Sequence, residues 1–298
     1  MTAASFAASL RPPVGPVDLS AIETDAAPGF GGDKATGKAA LLALGDSLSD
    51  LQERLFAEGK AGGGRSLLLI LQGMDTSGKG GTLRSTVGLM DPQGVRITSF
   101  KAPTPEEREH DFLWRIEKAL PTPGYVGVFD RSQYEDVLIG RVRELAPPAE
   151  IERRYDAINA WEADLVDNGT TIVKCMLHIS AEEQKARLLA RLDDPSKHWK
   201  YNPGDLAERA RWPAYQEAYE IAIERTNTDA APWHVIPADK KWYRNLAIGH
   251  LLLEALEAMD PQWPKADFDV AEERRRLATD HAFESVRRER STTKRPLS

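Results

Sequence analysis

Apolar residues recur along the chain in two patterns, and the alternation between them predicts the architecture. From Thr36 to about Glu58, Leu41, Leu42, Leu44, Leu48, Leu51 and Leu55 follow helical spacing, which lines one face of an amphipathic helix. Ser66 to Gln72, SLLLILQ, is instead a short continuous apolar run, as suits a parallel strand buried on both faces. The two patterns then alternate. Gly80 to about Met90 reads as helix, Val95 to Phe100 as strand, Glu106 to Ala119 as helix and Tyr125 to Phe129 as strand. Helix resumes from about Glu135 and again from Glu150 to Asp167, and Thr171 to Ile179 is strand. Ala181 to Leu192 and Arg211 to Arg225 read as helices, Trp233 to Ile236 as strand, and Trp242 to Met259 as the last long helix. Strands separated by helices are βαβ units, so the expected fold class is α/β with a parallel sheet covered on both faces.

The two ends differ from this body. Residues 1–35 contain Pro12, Pro13, Pro16 and Pro28 and little apolar periodicity, and read as an extended arm, either loose or laid over a neighbour. Residues 261–298 form a charged C-terminal extension. From about Ala271 onward, Arg274, Arg275, Arg276, Arg287, Arg288 and Arg290 suggest a solvated helix with a frayed end. No internal repeat is present.

Composition narrows the partners. Against 39 Lys and Arg stand 46 Asp and Glu among 298 residues, a net charge of −7, so neither nucleic acid nor an anionic membrane is an expected partner. A polyanionic ligand would need a local basic patch. No apolar run reaches the roughly 18 to 20 residues of a membrane span, and no basic residue precedes the weakly apolar N-terminal stretch, so the cytoplasm is the expected compartment. Cys175 is the single cysteine and lies in the apolar run IVKCML, which favours a buried small hydrophobe over a nucleophile. The six histidines share no i, i+4 metal-binding spacing.

The chemistry concentrates between the first strand and the next helix. Gly73 to Thr82, GMDTSGKGGT, fits G-x-x-x-x-G-K, a loop whose backbone N–H groups, helix N-terminus and lysine surround phosphates. Gly73 and Gly78 permit the backbone geometry, Lys79 supplies charge, and Gly80, Gly81 and Thr82 complete the phosphate-binding set. Gly80 stands where a Ser or Thr would hold Mg2+, so the oxygen must come from Thr82, Ser77 or Thr76, or from a carboxylate, for which Asp75 is the candidate. The strand of YVGVFDRSQYED ends in Asp130, resembling a Walker B carboxylate, and Arg131 could grip a transferring phosphoryl group. Between Lys185 and Trp212 lie seven basic and four acidic residues, a local basic patch with the character of a mobile lid.

Several blocks together resemble the polyphosphate kinase 2 family: GMDTSGKGG, FKAPTPEEREHDFLWRIEKALP, FDRSQYEDVL, DDPSKHWKYNPGDLAERARWPAYQEAYE and APWHVIPADKKWYRNLA. The resemblance runs from about Asp33 to Asp260. It implies a P-loop kinase fold, a three-layer α/β/α arrangement with a parallel sheet, spanning residues 36–260 with a helical lid at about 181–212. It implies phosphoryl transfer from inorganic polyphosphate to a nucleotide, dependent on Mg2+ with Mn2+ as a substitute, reversible in many members, by a homo-oligomer (dimer or tetramer). On the matching positions, Asp75 and Asp130 become the metal carboxylates, Lys79 and Arg131 the phosphate-gripping cations, and Arg191, Lys197, Lys200 and Arg209 the lid's contribution to polyphosphate binding. Glu135, in QYED, resembles the group that accepts nucleoside monophosphates (AMP, GMP) as well as diphosphates (ADP, GDP). The alternatives are an ATP-dependent nucleoside monophosphate kinase, separable by its donor, and a polyanion-binding protein that no longer catalyses, against which the two carboxylates argue.

Overall fold

The computed structural model describes residues 5–13 and 15–280. Five strands, β1 (Ser66–Gln72), β2 (Val95–Ser99), β3 (Val126–Asp130), β4 (Thr170–His178) and β5 (Trp233–Pro237), form one sheet in the order β2-β3-β1-β4-β5. Every pairing is parallel, so each connection crosses over through helical segments. The helices are α1 (Phe6–Leu10), α2 (Lys34–Ala43), α3 (Gly45–Lys60), α4 (Lys79–Ser85), α5 (Trp114–Glu117), α6 (Ile139–Val142), α7 (Pro148–Asp167), α8 (Ala181–Leu192), α9 (Asp205–Arg209), α10 (Trp212–Thr226), α11 (Lys241–Met259) and α12 (Val270–Ala278).

The continuous apolar run of β1 is explained by two covered faces. Leu67, Leu69 and Leu71 pack with Leu41, Leu48, Leu55 and Leu252 from α2, α3 and α11, whereas Leu68 and Ile70 pack with Tyr155 and Ile158 of α7 and Tyr219 and Ile223 of α10. All five β1 side chains are fully buried, each worth roughly 1.5–3 kcal/mol of hydrophobic stabilisation. This is a three-layer α/β/α arrangement, and Cys175 lies buried within it.

The proline-rich arm lies over the body of its own chain. Phe6 stacks on His250 of α11 with ring centroids 4.0 Å apart, and its N–H donates to Glu254 at 2.7 Å. Further along, His178 Nε2 donates to Leu19 O (3.0 Å) and Tyr243 Oη to Pro28 O (2.6 Å).

Four predicted helices differ: α4 stops at Ser85, short of Met90, the stretch from Glu135 gives only a turn at Gln133–Asp136 and the four-residue α6, and two others change more. The helix expected over Thr36 to Glu58 is divided at Leu44, whose N–H is shared between the carbonyls of Ala40 and Leu41 before Gly45 opens α3. Of Glu106 to Ala119 only a short turn at Glu107–Glu109 and α5 are helical. There the carboxylates of Glu107 and Asp111 accept the N–H groups of Thr104 (2.7 Å) and Leu113 (3.0 Å), so side chains compete with the helical ladder.

The chain divides after Gln262. In the second unit, α12 is capped by Asp269, and Arg275 and Arg276 pair with Glu272 and Glu273. Arg287, Arg288 and Arg290 lie outside the described residues, as does His281. Among the described residues no helix is long and apolar enough to cross a membrane.

Candidate active site

The carboxyl ends of β1 and β3 are adjacent because the strands pair in register, Leu71 opposite Asp130. The loops leaving them therefore share one crevice, the place where open α/β sheets bind ligands. From β1 the chain enters the turn at Gly73 (φ 152°) and Gly78 (φ 113°), and α4 begins at Lys79. At Gly78 a Cβ would lie 1.7 Å from Arg244 Nη1 as well as strained by its φ, so only glycine fits there. Lys79 Nζ donates to Gly73 O at 2.8 Å across the turn. Burial, and then Arg131, pull the Lys79 ammonium below its ordinary value, while Asp130, Asp75 and Glu135 work to restore it. A bound phosphate would act in the same direction as those carboxylates.

Behind the turn stand two arginines not singled out in the sequence. Arg187 of α8 donates to Thr76 O (2.9 Å) and Ser77 O (3.0 Å) and also to Ala238 O and Asp239 O (2.7 and 2.9 Å) after β5. Arg244 of α11 donates to Ser77 O at 3.1 Å and to Asn245 Oδ1. Burial, and then Arg187, bring Arg244 down to about 10. Gln184 of α8 adds a bond to Asp75 O at 3.1 Å. A signal existed for Arg244, which lies in the block APWHVIPADKKWYRNLA that carries the family resemblance. Arg187 was one of many cations in a basic stretch.

The turn after β3 completes the crevice. Arg131, at φ 67°, reaches Asp75 Oδ1 at 2.8 Å and Glu135 Oε2 at 3.2 Å. Burial works against the Arg131 charge, but Glu135 and then Asp75 outweigh it and hold the guanidinium above its ordinary value. Glu135 sits in a short turn, Gln133–Asp136, capped by Ser132. With its amide turned to satisfy both ends, the fully buried Gln72 donates to Glu135 Oε1 at 2.9 Å and accepts from Ser132 N at 3.0 Å. Burial raises the Glu135 carboxyl above the usual range, with Arg131 and then Lys79 opposing it. Beneath, a buried ion pair between Lys174 Nζ and Glu162 Oε2 (2.6 Å) receives Gln133 Nε2 (3.0 Å) and Tyr134 Oη (2.8 Å) on Glu162.

Asp75, Arg131, Glu135, Tyr215 and Tyr219 line a cavity of about 280 Å³ with Gly73. Among the described residues no group of three or more His, Cys, Asp or Glu could hold a metal by itself. Magnesium, however, needs only one or two carboxylates besides phosphate oxygens and water. Three buried hydroxyls of the loop, those of Thr76, Ser77 and Thr82, have no hydrogen-bond partner. Unpartnered hard oxygen donors beside two carboxylates fit such an ion.

The segment at 181–212 comprises α8, a turn at Pro195–Lys200 and α9. Arg191 donates to Lys200 O (2.8 Å) and lies 3.7 Å from Asp205. Lys197 pairs with Asp194 at 2.6 Å, Lys200 lies over the Trp199 ring at 4.9 Å, and Arg209 donates to Ala181 O and Gln184 Oε1 (2.5 and 3.0 Å). Gly80 faces open space.

The sequence model of the family described as polyphosphate kinase 2 matches residues 31–264. The chain belongs to that family. The polyphosphate kinase 2 fold is seen at full length in a crystal structure from Arthrobacter aurescens TC1, 60% identical, with a TM-score of 0.90 over 93% of this chain and 98% of that one. An AMP/ADP-polyphosphate phosphotransferase of Meiothermus ruber is 45% identical over 86% of this chain and 94% of its own length. An ADP-polyphosphate phosphotransferase of Rhodopseudomonas palustris is 40% identical over 74% of this chain and 79% of its own. The chain is thus a polyphosphate kinase, a phosphotransferase.

Proposed function

We propose that this polyphosphate kinase moves a phosphoryl group from inorganic polyphosphate to nucleoside mono- and diphosphates, AMP and ADP among them and GMP and GDP by the same chemistry. The observation that carries the proposal is Arg131 held between Asp75 and Glu135 across from Lys79 and the unpartnered loop hydroxyls. The name of the Meiothermus ruber relative supports both acceptors.

Polyphosphate lies over Gly78 to Gly80, where loop N–H groups and Lys79 receive its terminal phosphate. The acceptor's phosphate faces it from the cavity bounded by Glu135. Arg131, a planar guanidinium, spans the oxygens of the transferring group, releasing one carboxylate as it does so. Asp75 and Asp130 are the residues that would hold Mg2+, or Mn2+ in its place, with Thr76, Ser77 or Thr82 adding an oxygen. When bound, the ion neutralises charge on the phosphate oxygens and acts as a Lewis acid. The protein otherwise contributes alignment of the two phosphates and fixed positive groups where charge develops. A monophosphate is one phosphate shorter, and Glu135 compensates by organising the acceptor's end of the cavity. Because both partners are phosphate oxygens, the same site runs in reverse.

The test supplies long polyphosphate as donor with AMP, ADP, GMP or GDP and Mg2+, and no nucleoside triphosphate, and reads the diphosphate or triphosphate formed. ATP from ADP, and ADP from AMP, are expected. Activity only when ATP is the donor would instead identify a nucleoside monophosphate kinase.

A further inference from the structure

A second basic region lies at the far end of α4, the helix that leaves the phosphate loop. A groove of about 850 Å³ runs between α2, the end of α4 and the start of α11. Its walls carry Lys34, Lys38, Arg84, Lys240 and Lys241 against only Glu183 and Asp239. Both acids are already engaged: Glu183 accepts from Arg187 at 2.7 Å, and Asp239 accepts from Ser180 N (2.9 Å) and Thr24 Oγ1 (2.7 Å). Among the described residues, Lys240 is the one of these cations with an ion pair, to Asp25 at 3.7 Å.

Helix α11 breaks a local rule at this place. Its first turn carries Lys240 and Lys241, no acid, and no side-chain cap, although the N-terminal end of a 19-residue helix is already positive. A local conflict of this kind marks a functional site. Asn245, nine-tenths buried and lining the groove, spends its Oδ1 on Arg244. In the lid, by contrast, Arg191, Lys197 and Arg209 are engaged by the protein's own acids and carbonyls.

We propose that this groove binds the distal part of the polyphosphate chain as it leaves the phosphate loop. The inference rests on polyphosphate being the donor. Helix α4 starts in the loop at Lys79 and delivers Arg84 to the groove, so a chain held over Gly78 to Gly80 can continue along α4 into it. Desolvation, and then Arg187, draw the Lys241 ammonium below its ordinary range; Glu183 opposes them, and Arg244 and Lys197 add to them. Lys241 in the groove is therefore within electrostatic reach of Arg187 and Arg244 behind the loop and of Lys197 in the lid. Such a track gives a protein of charge −7 a path for a polyanion that most of its surface repels.

The test combines Lys34→Gln, Lys38→Gln and Arg84→Gln, all at exposed positions, in the full chain. The wild type is first assayed with long polyphosphate and ADP. No turnover there would overturn the donor assignment and this inference with it. Given turnover, the KM for long polyphosphate should rise roughly tenfold or more in the variant, and its salt dependence should flatten. The KM for ADP, the kcat and the inhibition constant of tripolyphosphate, which covers only the phosphate loop, should stay within about twofold. An unchanged KM for long polyphosphate, or an equal weakening of tripolyphosphate, would overturn the groove as a separate donor track.

Discussion

Arg131 and Thr76 both hold left-handed backbone conformations, φ 67° and 64°, at a cost of roughly 1–2 kcal/mol each for residues with a Cβ. The strain lies where the turns after β3 and β1 meet, and what it achieves is the contact of one guanidinium with Asp75 and Glu135. Asp75→Asn and Asp130→Asn should each lower kcat by about a hundredfold or more, since metal catalysis supplies several kcal/mol. Circular dichroism should show the fold unchanged; near-normal turnover at saturating Mg2+ would remove that carboxylate from the metal site. Glu135 has its own pH signature. Burial raises its carboxyl, so as pH falls the carboxylate takes a proton and loses its charge above the ordinary range near 4.5. The rate with AMP should therefore have an acid limb that Glu135→Gln flattens, checked by initial rates across pH. That Asp75, Lys79, Asp130 and Arg131 meet at one crevice was legible, because their motifs put them on the loops that leave two strands. Arg187 and Arg244 were not, because what they do depends on carbonyls of Thr76 and Ser77 over a hundred residues away in sequence.

At the scale of elements, the site is a set of turns fixed from behind. The turn carrying Glu135 hangs on the buried Lys174–Glu162 pair through Gln133 and Tyr134. Glu162→Gln leaves the Lys174 ammonium without its carboxylate, and breaking such a pair costs about 3–5 kcal/mol. Chemical denaturation should show that loss, whereas Glu162→Leu combined with Lys174→Met should lose less than Glu162→Gln alone; the reverse order would mean that the charges themselves stabilise the fold. The strands and α8 were legible from apolar pattern, Ala181 to Leu192 to the residue. The division of α2 from α3 and the largely non-helical stretch at 106–119 were not, since helical spacing reveals neither a shared backbone bond such as that of the Leu44 N–H nor which carboxylates will capture local N–H groups.

Across the whole molecule, burial of titratable groups couples stability to pH. His178 and His234 each donate one ring N–H to a carbonyl, Leu19 O and Lys174 O, while the other nitrogen is buried with no partner. Burial lowers both, His234 to about 4. Their contribution is complete above the unfolded value near 6.5 and is lost as pH falls toward the folded one, by up to about 1.4 kcal/mol per pH unit for each histidine. Thermal midpoints should fall from pH 6.5 to 4 and fall less in His234→Gln; a flat profile would contradict neutral buried rings. The parallel, two-faced sheet was legible from the alternation of strand and helix, but the path of the arm was not, because its anchors are single contacts at Phe6, Leu19 and Pro28 with no periodicity. The central claim joins donor, acceptor and site, and one comparison tests all three: kcat/KM for AMP and for ADP with long polyphosphate as sole donor, in the wild type and in Glu135→Gln. Both acceptors should be used by the wild type, and the variant should lose about tenfold or more of its AMP rate relative to ADP. No turnover from polyphosphate, or equal losses with both acceptors, would contradict it.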